Sequence, residues 1–117
     1  MDTSGKIDYI EIRTKDLQKT KTFFQQLFGW KFQDYGPDYT AFDDGRMKGG
    51  FYPARSVASV AAGSTLVVFY TPSLEDYEKK VVNLGGKIVK AIFSFPGGRR
   101  FHFTDPGGSE FALWSDK

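Results

Sequence analysis

Phe28-Gly29-Trp30-Lys31-Phe32 and Leu84-Gly85-Gly86-Lys87-Ile88 decide the fold of this protein, because they repeat one pattern at an offset of 56 residues. Each stretch begins with an apolar residue that closes a helical pattern and continues with glycine, the residue that most often ends a helix. The residues that follow are typical of a β-strand. This second occurrence of a helix-to-strand junction indicates that the chain consists of two similar halves.

The residues around these junctions predict the same order of elements in each half: a strand, a helix and three further strands. Apolar residues at helical spacing predict helices that begin after Asp16 and after Ser73, and Asp76 completes a capping box in the second. Neither half, at roughly 55 residues, can bury a stable core alone, so one domain over residues 1–117 is expected. Its parts are the modules 6–54 and 64–114 and the linker 55–63.

The composition limits the chemistry of this domain. The 117 residues include no cysteine and one histidine, which excludes disulfides, zinc–thiolate sites, iron–sulfur clusters and a cysteine nucleophile. A net charge of +2 is too small for a nucleic-acid-binding surface, and no apolar run approaches the roughly 20 residues of a membrane span. The first residues lack the apolar core of a signal peptide, which together with the absence of cysteine favours the cytoplasm.

Short motifs in a fixed order run through both halves, from residue 6 to residue 114. They are Tyr9-Ile10-Glu11-Ile12, Asp16-Leu17, Phe23-Phe24, Leu27 to Phe32, Leu84 to Lys87, Phe103 to Gly108 and Leu113-Trp114. In this order they resemble the vicinal oxygen chelate superfamily, which includes glyoxalase I, bleomycin-resistance proteins and extradiol dioxygenases. The resemblance implies an α+β fold, in which two βαβββ modules form a curved sheet around a cleft, and a homodimer.

Metal-using members of that superfamily carry four ligands, two from each module. The resemblance places these positions at Tyr9, at Gly50 or Phe51, at Leu66 and at Ala112. The side chains of leucine, alanine and glycine offer a divalent ion no ligand atom, and a neutral tyrosine is a poor ligand. No metal and no other cofactor are therefore expected.

Alternation along the strands predicts which side chains face the cleft. If Tyr9 faces it, so do Glu11 and Arg13, whereas Ile10 and Ile12 face the helices. The same argument on the other strands gives the predicted ligand-binding residues Tyr9, Glu11, Leu66, Tyr70, His102, Glu110 and Trp114. Such a cleft suits a small organic molecule with a polar or cationic group. Its two carboxylates leave open a weak metal site that is completed by water.

Three of these residues, Glu11, His102 and Glu110, are candidates for acid–base catalysis, although no catalytic role is fixed. Histidine is the side chain type that titrates near neutrality, and this chain has one. Structural roles are open for all three. They are a local hydrogen bond or a dimer contact for His102, and salt bridges to Arg13 or Arg100 for the glutamates.

Two turns complete the prediction. Arg99 and Arg100 follow Gly97-Gly98, where they either hold an anionic substrate group or are solvated. Asp105-Pro106-Gly107-Gly108 is interpreted as turn chemistry, with glycine allowing positive φ. The sequence thus predicts a glyoxalase- and bleomycin-resistance-like protein that binds an organic small molecule in an aromatic cleft without a metal. A metal-independent or weakly metal-dependent lyase or isomerase and a non-catalytic interaction module are the alternatives.

Overall fold

The structure is a computed structural model that describes residues 2–117, so Met1 of the predicted domain lies outside the described residues. It contains two four-stranded sheets and two helices. The elements are β1 (Tyr9–Thr14), α1 (Leu17–Phe28), β2 (Lys31–Asp34), β3 (Thr40–Asp43), β4 (Lys48–Pro53), β5 (Val67–Tyr70), α2 (Leu74–Asn83), β6 (Lys87–Phe95), β7 (Gly98–Thr104) and β8 (Glu110–Ser115). Neither helix of the described chain is long and apolar enough to cross a membrane.

The two sheets have the same topology. Their strand orders are β1-β4-β3-β2 and β5-β8-β7-β6, so each half of the chain forms its own sheet. In each sheet the first and last strands of the module pair in parallel, and the other neighbours are antiparallel. This arrangement confirms the predicted α+β fold of two βαβββ modules.

The ends of the helices follow the sequence in one module and depart from it in the other. The Asp16 side chain accepts a hydrogen bond from the Lys19 N–H at 3.0 Å, and Gly29 ends α1 at a φ of 73°, as predicted. The capping box predicted at Ser73 is wrong, because the Ser73 side chain makes no capping hydrogen bond. Instead, the Ser73 N–H donates to Thr71 Oγ1 at 3.1 Å, an interaction that turns the backbone before α2.

Phe24 of α1 lies at the centre of the core and is fully buried. Its ring centroid lies 5.5 Å from that of Phe51 in β4, 6.0 Å from that of Phe69 in β5 and 5.2 Å from that of Phe111 in β8. One side chain of the first module therefore packs against both sheets. The two modules share a single core, which is what their small size requires.

The turn after β7, residues 105–108, needs glycine for two reasons: close packing around Gly107 and a positive φ at Gly108. Thr20 Oγ1 donates to the buried Asp105 carboxylate at 2.5 Å, and Thr14 Oγ1 lies 2.7 Å from Thr20 Oγ1. A Cβ on Gly107 would lie 1.8 Å from Thr14 Oγ1, so no larger residue fits there. Gly108 has the positive φ, 96°, that the sequence predicts for this turn. The turn therefore joins the second module to the start of the first.

Candidate functional site

The candidate site lies on the side of each sheet that faces away from the helices. In the second sheet, the backbone register puts His102 beside Ala112, and Trp114 lies between Arg100 and Tyr70. The alternate residues of the same strands pack against α1, as Phe111 does. We call this side of the second sheet the distal face. Its residues are Val68, Tyr70, Lys90, Phe93, Phe95, Arg100, His102, Glu110, Ala112 and Trp114.

His102 and Glu110 form a buried pair on the distal face. His102 Nδ1 lies 2.8 Å from Glu110 Oε2, and the side chains are 6% and 8% exposed. Because Nδ1 faces a carboxylate, it carries a proton and donates. Glu110 Oε1 accepts a second hydrogen bond, from the Val60 N–H at 3.0 Å. His102 Nε2 is buried and has no hydrogen-bond partner among residues 2–117.

The predicted linker belongs to this site. Residues 54–66, which we call the strap, form neither helix nor strand and pack against the second module. The Glu110 N–H donates to the Ala58 carbonyl at 2.8 Å, and the Ala58 N–H donates to Ser109 Oγ at 3.2 Å. Arg13 Nη1 donates to Ser56 Oγ at 3.0 Å. The strap therefore fixes the position of the Glu110 carboxylate.

On the first sheet, Glu11 belongs to a separate chain of hydroxyl groups. Tyr39 Oη donates to Glu11 Oε2 at 3.0 Å, and Tyr9 Oη lies 2.6 Å from Tyr39 Oη. A Cβ on Gly50 would lie 1.9 Å from Tyr39 Oη, so the glycine makes room for the phenol. Sequence reasoning missed Tyr39 because it precedes β3. Glycine within a strand was the available signal, since it often marks a close approach of another group.

The predicted salt bridges of the glutamates are wrong for the described residues. Glu11 is hydrogen-bonded to Tyr39 rather than to Arg13, and Glu110 pairs with His102 rather than with Arg100. For His102, this pairing is the local hydrogen bond that the sequence left open. Both glutamates therefore take their partners from side chains that the alternation of strand residues alone does not reveal.

Tyr39→Phe is expected to change how stability depends on pH. Burial, followed by the hydrogen bonds with Tyr9 and Glu11, raises the pKa of Tyr39 well above its ordinary value of 10. The folded state thus holds this proton more tightly than the unfolded state does. The resulting stabilisation is complete below a pH of about 10 and is lost as the pH rises further.

Urea unfolding between about pH 9 and 12 tests this expectation. The free energy of unfolding of the Tyr39→Phe variant should fall less steeply than that of the wild type. Tyr35→Phe is the control, because Tyr35 is 63% exposed. Equal slopes for the two variants would contradict the raised pKa of Tyr39.

Two cavities lie along the seam between β1 and β5. The larger, about 860 Å³, is lined by Tyr9 and Val68 together with the core residues Trp30, Phe42 and Phe69. The smaller, about 230 Å³, brings the two glutamates together, because both Glu11 and Glu110 line it. The other predicted ligand-binding residues line neither of these cavities: Leu66, Tyr70, His102 and Trp114.

A family model described as Glyoxalase/Bleomycin resistance protein/Dioxygenase superfamily matches residues 6–113. The chain belongs to this superfamily. The match extends over both modules and confirms the resemblance that the short motifs indicated. No curated protein matches the sequence.

Several solved structures share the superfamily fold. A glyoxalase/bleomycin resistance protein/dioxygenase family enzyme from Burkholderia phytofirmans PsJN is 18% identical, with 95% of this chain and 100% of that chain covered and a TM-score of 0.78. A mutant fosfomycin resistance protein from Listeria monocytogenes, complexed with Mn(II) and 1S,2S-dihydroxypropylphosphonic acid, is 20% identical. The comparison covers 94% of this chain and 89% of that chain, with a TM-score of 0.77. Lactoylglutathione lyase from Agrobacterium tumefaciens is 16% identical, with 97% of this chain and 96% of that chain covered and a TM-score of 0.72. At these identities the likeness concerns the fold.

The residues at the ligand positions that the resemblance implies do not fit a divalent ion. Tyr9 is engaged with Tyr39, and the space at Gly50 is filled by the same phenol. Ala112 is fully buried, and Leu66 offers only carbon atoms. Within the described part of the chain, no group of three or more histidine, aspartate and glutamate side chains could hold a metal ion. That the purified protein carries no metal stays a prediction.

Proposed function

We propose that this protein binds a small organic molecule without a bound metal, on the aromatic distal face, which we take as the wall of the predicted aromatic cleft. One observation carries the proposal: in the buried His102–Glu110 pair, His102 Nε2 has no hydrogen-bond partner among the described residues. Buried polar atoms nearly always have a partner, and a ligand is one way to supply it. Few polar groups among many apolar ones are typical of small-molecule sites.

Aromatic side chains on the same face supply the apolar part of such a site. The ring centroid of Trp114 lies 5.1 Å from that of Tyr70 and 6.3 Å from that of Phe95. Tyr70 is 48% exposed, and its hydroxyl donates to Asp116 at 2.6 Å, which holds the ring at the edge of the sheet. Partly exposed rings in fixed positions favour a ligand with a flat or apolar body.

A thermal-shift screen of a small-molecule library tests the proposal. We expect several organic compounds to raise the melting temperature of the wild type, because a ligand that binds only the folded state stabilises it. His102→Ala should lose these shifts, whereas Tyr35→Ala, a change at an exposed ring, should keep them. Hits that stabilise both variants equally would place binding elsewhere.

Metal analysis of the same sample should find well under one ion per chain, and stoichiometric metal would contradict the assignment of the ligand positions.

A second candidate function is metal-independent lyase or isomerase chemistry. It is favoured by the geometry of His102, whose Nδ1–H is held by a carboxylate while the buried Nε2 has no partner among the described residues. A positioned imidazole of this kind serves as a general base. Incubating compounds from the screen with the protein distinguishes the two functions. New product signals that depend on His102 support catalysis, and unchanged compounds support binding alone.

We also propose a homodimer in the cytoplasm. The dimer is supported by superfamily resemblance and by exposed apolar side chains along the edge strands β1 and β5, namely Tyr9, Val68 and Tyr70. Light scattering of the purified protein measures the oligomeric state directly. The cytoplasm rests on composition, since a chain without cysteine needs no oxidising compartment.

A further inference from the structure

Three nitrogen-bearing side chains surround the ring of Phe93 on the distal face. Lys90 Nζ lies 4.2 Å from the ring centroid, and Arg100 Cζ lies 5.3 Å from it. The imidazole centroid of His102 lies 5.9 Å from the same point. Lys90 is directly opposite His102 in the register of β6 and β7, and Phe93 is opposite Arg100. One partly buried ring therefore holds three basic groups together.

The positive charges of this cluster are not matched by carboxylates. Among the described residues, neither Lys90 nor Arg100 has a carboxylate oxygen within salt-bridge distance. The neighbouring Glu110 carboxylate is already used by His102 and by the strap N–H of Val60. Cation–π contacts with Phe93 stabilise the cations but leave their N–H donors free.

Arg100 shows the imbalance most clearly. Its Nε is buried and has no hydrogen-bond partner in the part of the chain that the structure describes. The adjacent Arg99, in contrast, has a partner, because it forms a salt bridge with Glu75 of α2. The two arginines that the sequence grouped at one turn thus face opposite sides of the sheet. A buried guanidinium N–H without an acceptor is costly, and an anionic acceptor would remove that cost.

We propose that Lys90, Arg100 and His102, grouped around Phe93, bind the anionic group of an organic ligand, either a carboxylate or a phosphonate. This inference rests on the proposed function and gives its ligand a charge. That charge is opposite to the cationic group that aromatic residues alone suggest.

The spacing of the cluster suits one such group. Residues two apart on β7 lie about 7 Å from each other, and cross-strand neighbours about 5 Å. An oxyanion held between Arg100 and Lys90 would receive charge-assisted hydrogen bonds from both. His102 lies on the same face, and its Nε2, which has no partner among the described residues, can accept a hydrogen bond from a hydroxyl of the ligand. Phe95 and Trp114 then contact the body of the ligand.

NMR of the protein tests this inference, because the chain has a single histidine and so a single set of imidazole signals. The probes are phenylphosphonate, the neutral 2-phenylethanol and the cationic 2-phenylethylamine, which share a phenyl ring and differ in charge. Phenylphosphonate should shift the His102 signals at concentrations at least about tenfold lower than the other two. Its affinity should also fall as salt is raised, because part of the site is exposed to solvent.

Two substitutions locate the binding. Arg100→Gln and Lys90→Gln should each weaken phenylphosphonate about tenfold or more, since each removes a charge-assisted hydrogen bond. Arg99→Gln is the matched control, because this neighbouring arginine pairs with Glu75 and should leave the affinity unchanged. Equal losses in Arg99→Gln and Arg100→Gln would overturn the assignment of the site.

The outcome of the probe series separates this inference from the proposed function. If the neutral or the cationic probe shifts the His102 signals as readily as phenylphosphonate does, the anion site is overturned and a ligand on the distal face still stands. If only compounds from the library screen bind, and none carries an anionic group, the result is the same. Failure of every compound in both experiments overturns both.

Discussion

Phe24→Ala is expected to cost about 3–5 kcal/mol of the free energy of unfolding, the range for a large aromatic side chain removed from a core. Phe24 is fully buried, and its ring stacks against Trp30 with 4.7 Å between centroids. It also contacts Phe51 of the first sheet and Phe111 of the second. The substitution therefore leaves a cavity where both modules meet. A marginally stable domain of this size would lose a large part of its stability.

Urea unfolding followed by tryptophan fluorescence and by circular dichroism measures this loss. Because the modules share the core, both signals should change in one transition, in the variant as in the wild type. Tyr35→Ala removes an aromatic ring that is 63% exposed, and it should change the stability by about 1 kcal/mol or less. Two separate transitions in the Phe24→Ala variant would contradict the shared core.

Glu110→Ala is expected to be the second most damaging change, at about 2–4 kcal/mol. The carboxylate is 8% exposed and accepts from both His102 Nδ1 and the Val60 N–H. Its removal leaves the buried His102 Nδ1 and the Val60 N–H without their acceptor, and it removes one of the hydrogen bonds that hold the strap to the sheet. Glu11→Ala is the matched control. Glu11 is an exposed glutamate that accepts one hydrogen bond, from Tyr39, and its loss should cost about 1 kcal/mol or less.

A double-mutant cycle isolates the pair itself. The stabilities of Glu110→Ala, His102→Ala and the double variant give the energy by which the two side chains depend on each other. We expect a coupling of about 1.5–3 kcal/mol, as for buried charged hydrogen bonds. If the stability changes of the two single variants simply add up in the double variant, the two side chains do not stabilise each other. Such a result would contradict the positioning of the imidazole by Glu110.

Much of the fold could be predicted because its signals are local. Gly29 and Gly85 mark the helix ends, and both adopt a positive φ in the structure, 73° and 98°. Where the prediction failed, at Ser73, a nearby threonine took the backbone N–H that the capping box needed. A local sequence pattern indicates which hydrogen bonds a backbone group can form, but a competing acceptor nearby can take the same N–H.

The candidate site was only partly predictable. Alternation along β1, β7 and β8 selected Glu11, His102 and Glu110 as side chains of one side of each sheet, where the structure has them. It did not indicate which of them meet. Tyr39 reaches Glu11 across 28 residues of sequence, and Val60 reaches Glu110 across 50. Such partners lie in a loop and in the strap, where no periodic pattern fixes a direction.

Backbone preferences and apolar periodicity were enough to predict the two βαβββ modules, their junctions and the side of each strand that faces the helices. The chemistry of the distal face depends instead on how the two modules and the strap pack together. Arg99 and Arg100 are identical neighbours in the chain, yet one pairs with Glu75 and the other keeps a buried Nε without a partner. The physical reason is that charge and hydrogen bonding depend on distances between groups, and those distances are set only when the two modules and the strap have packed together.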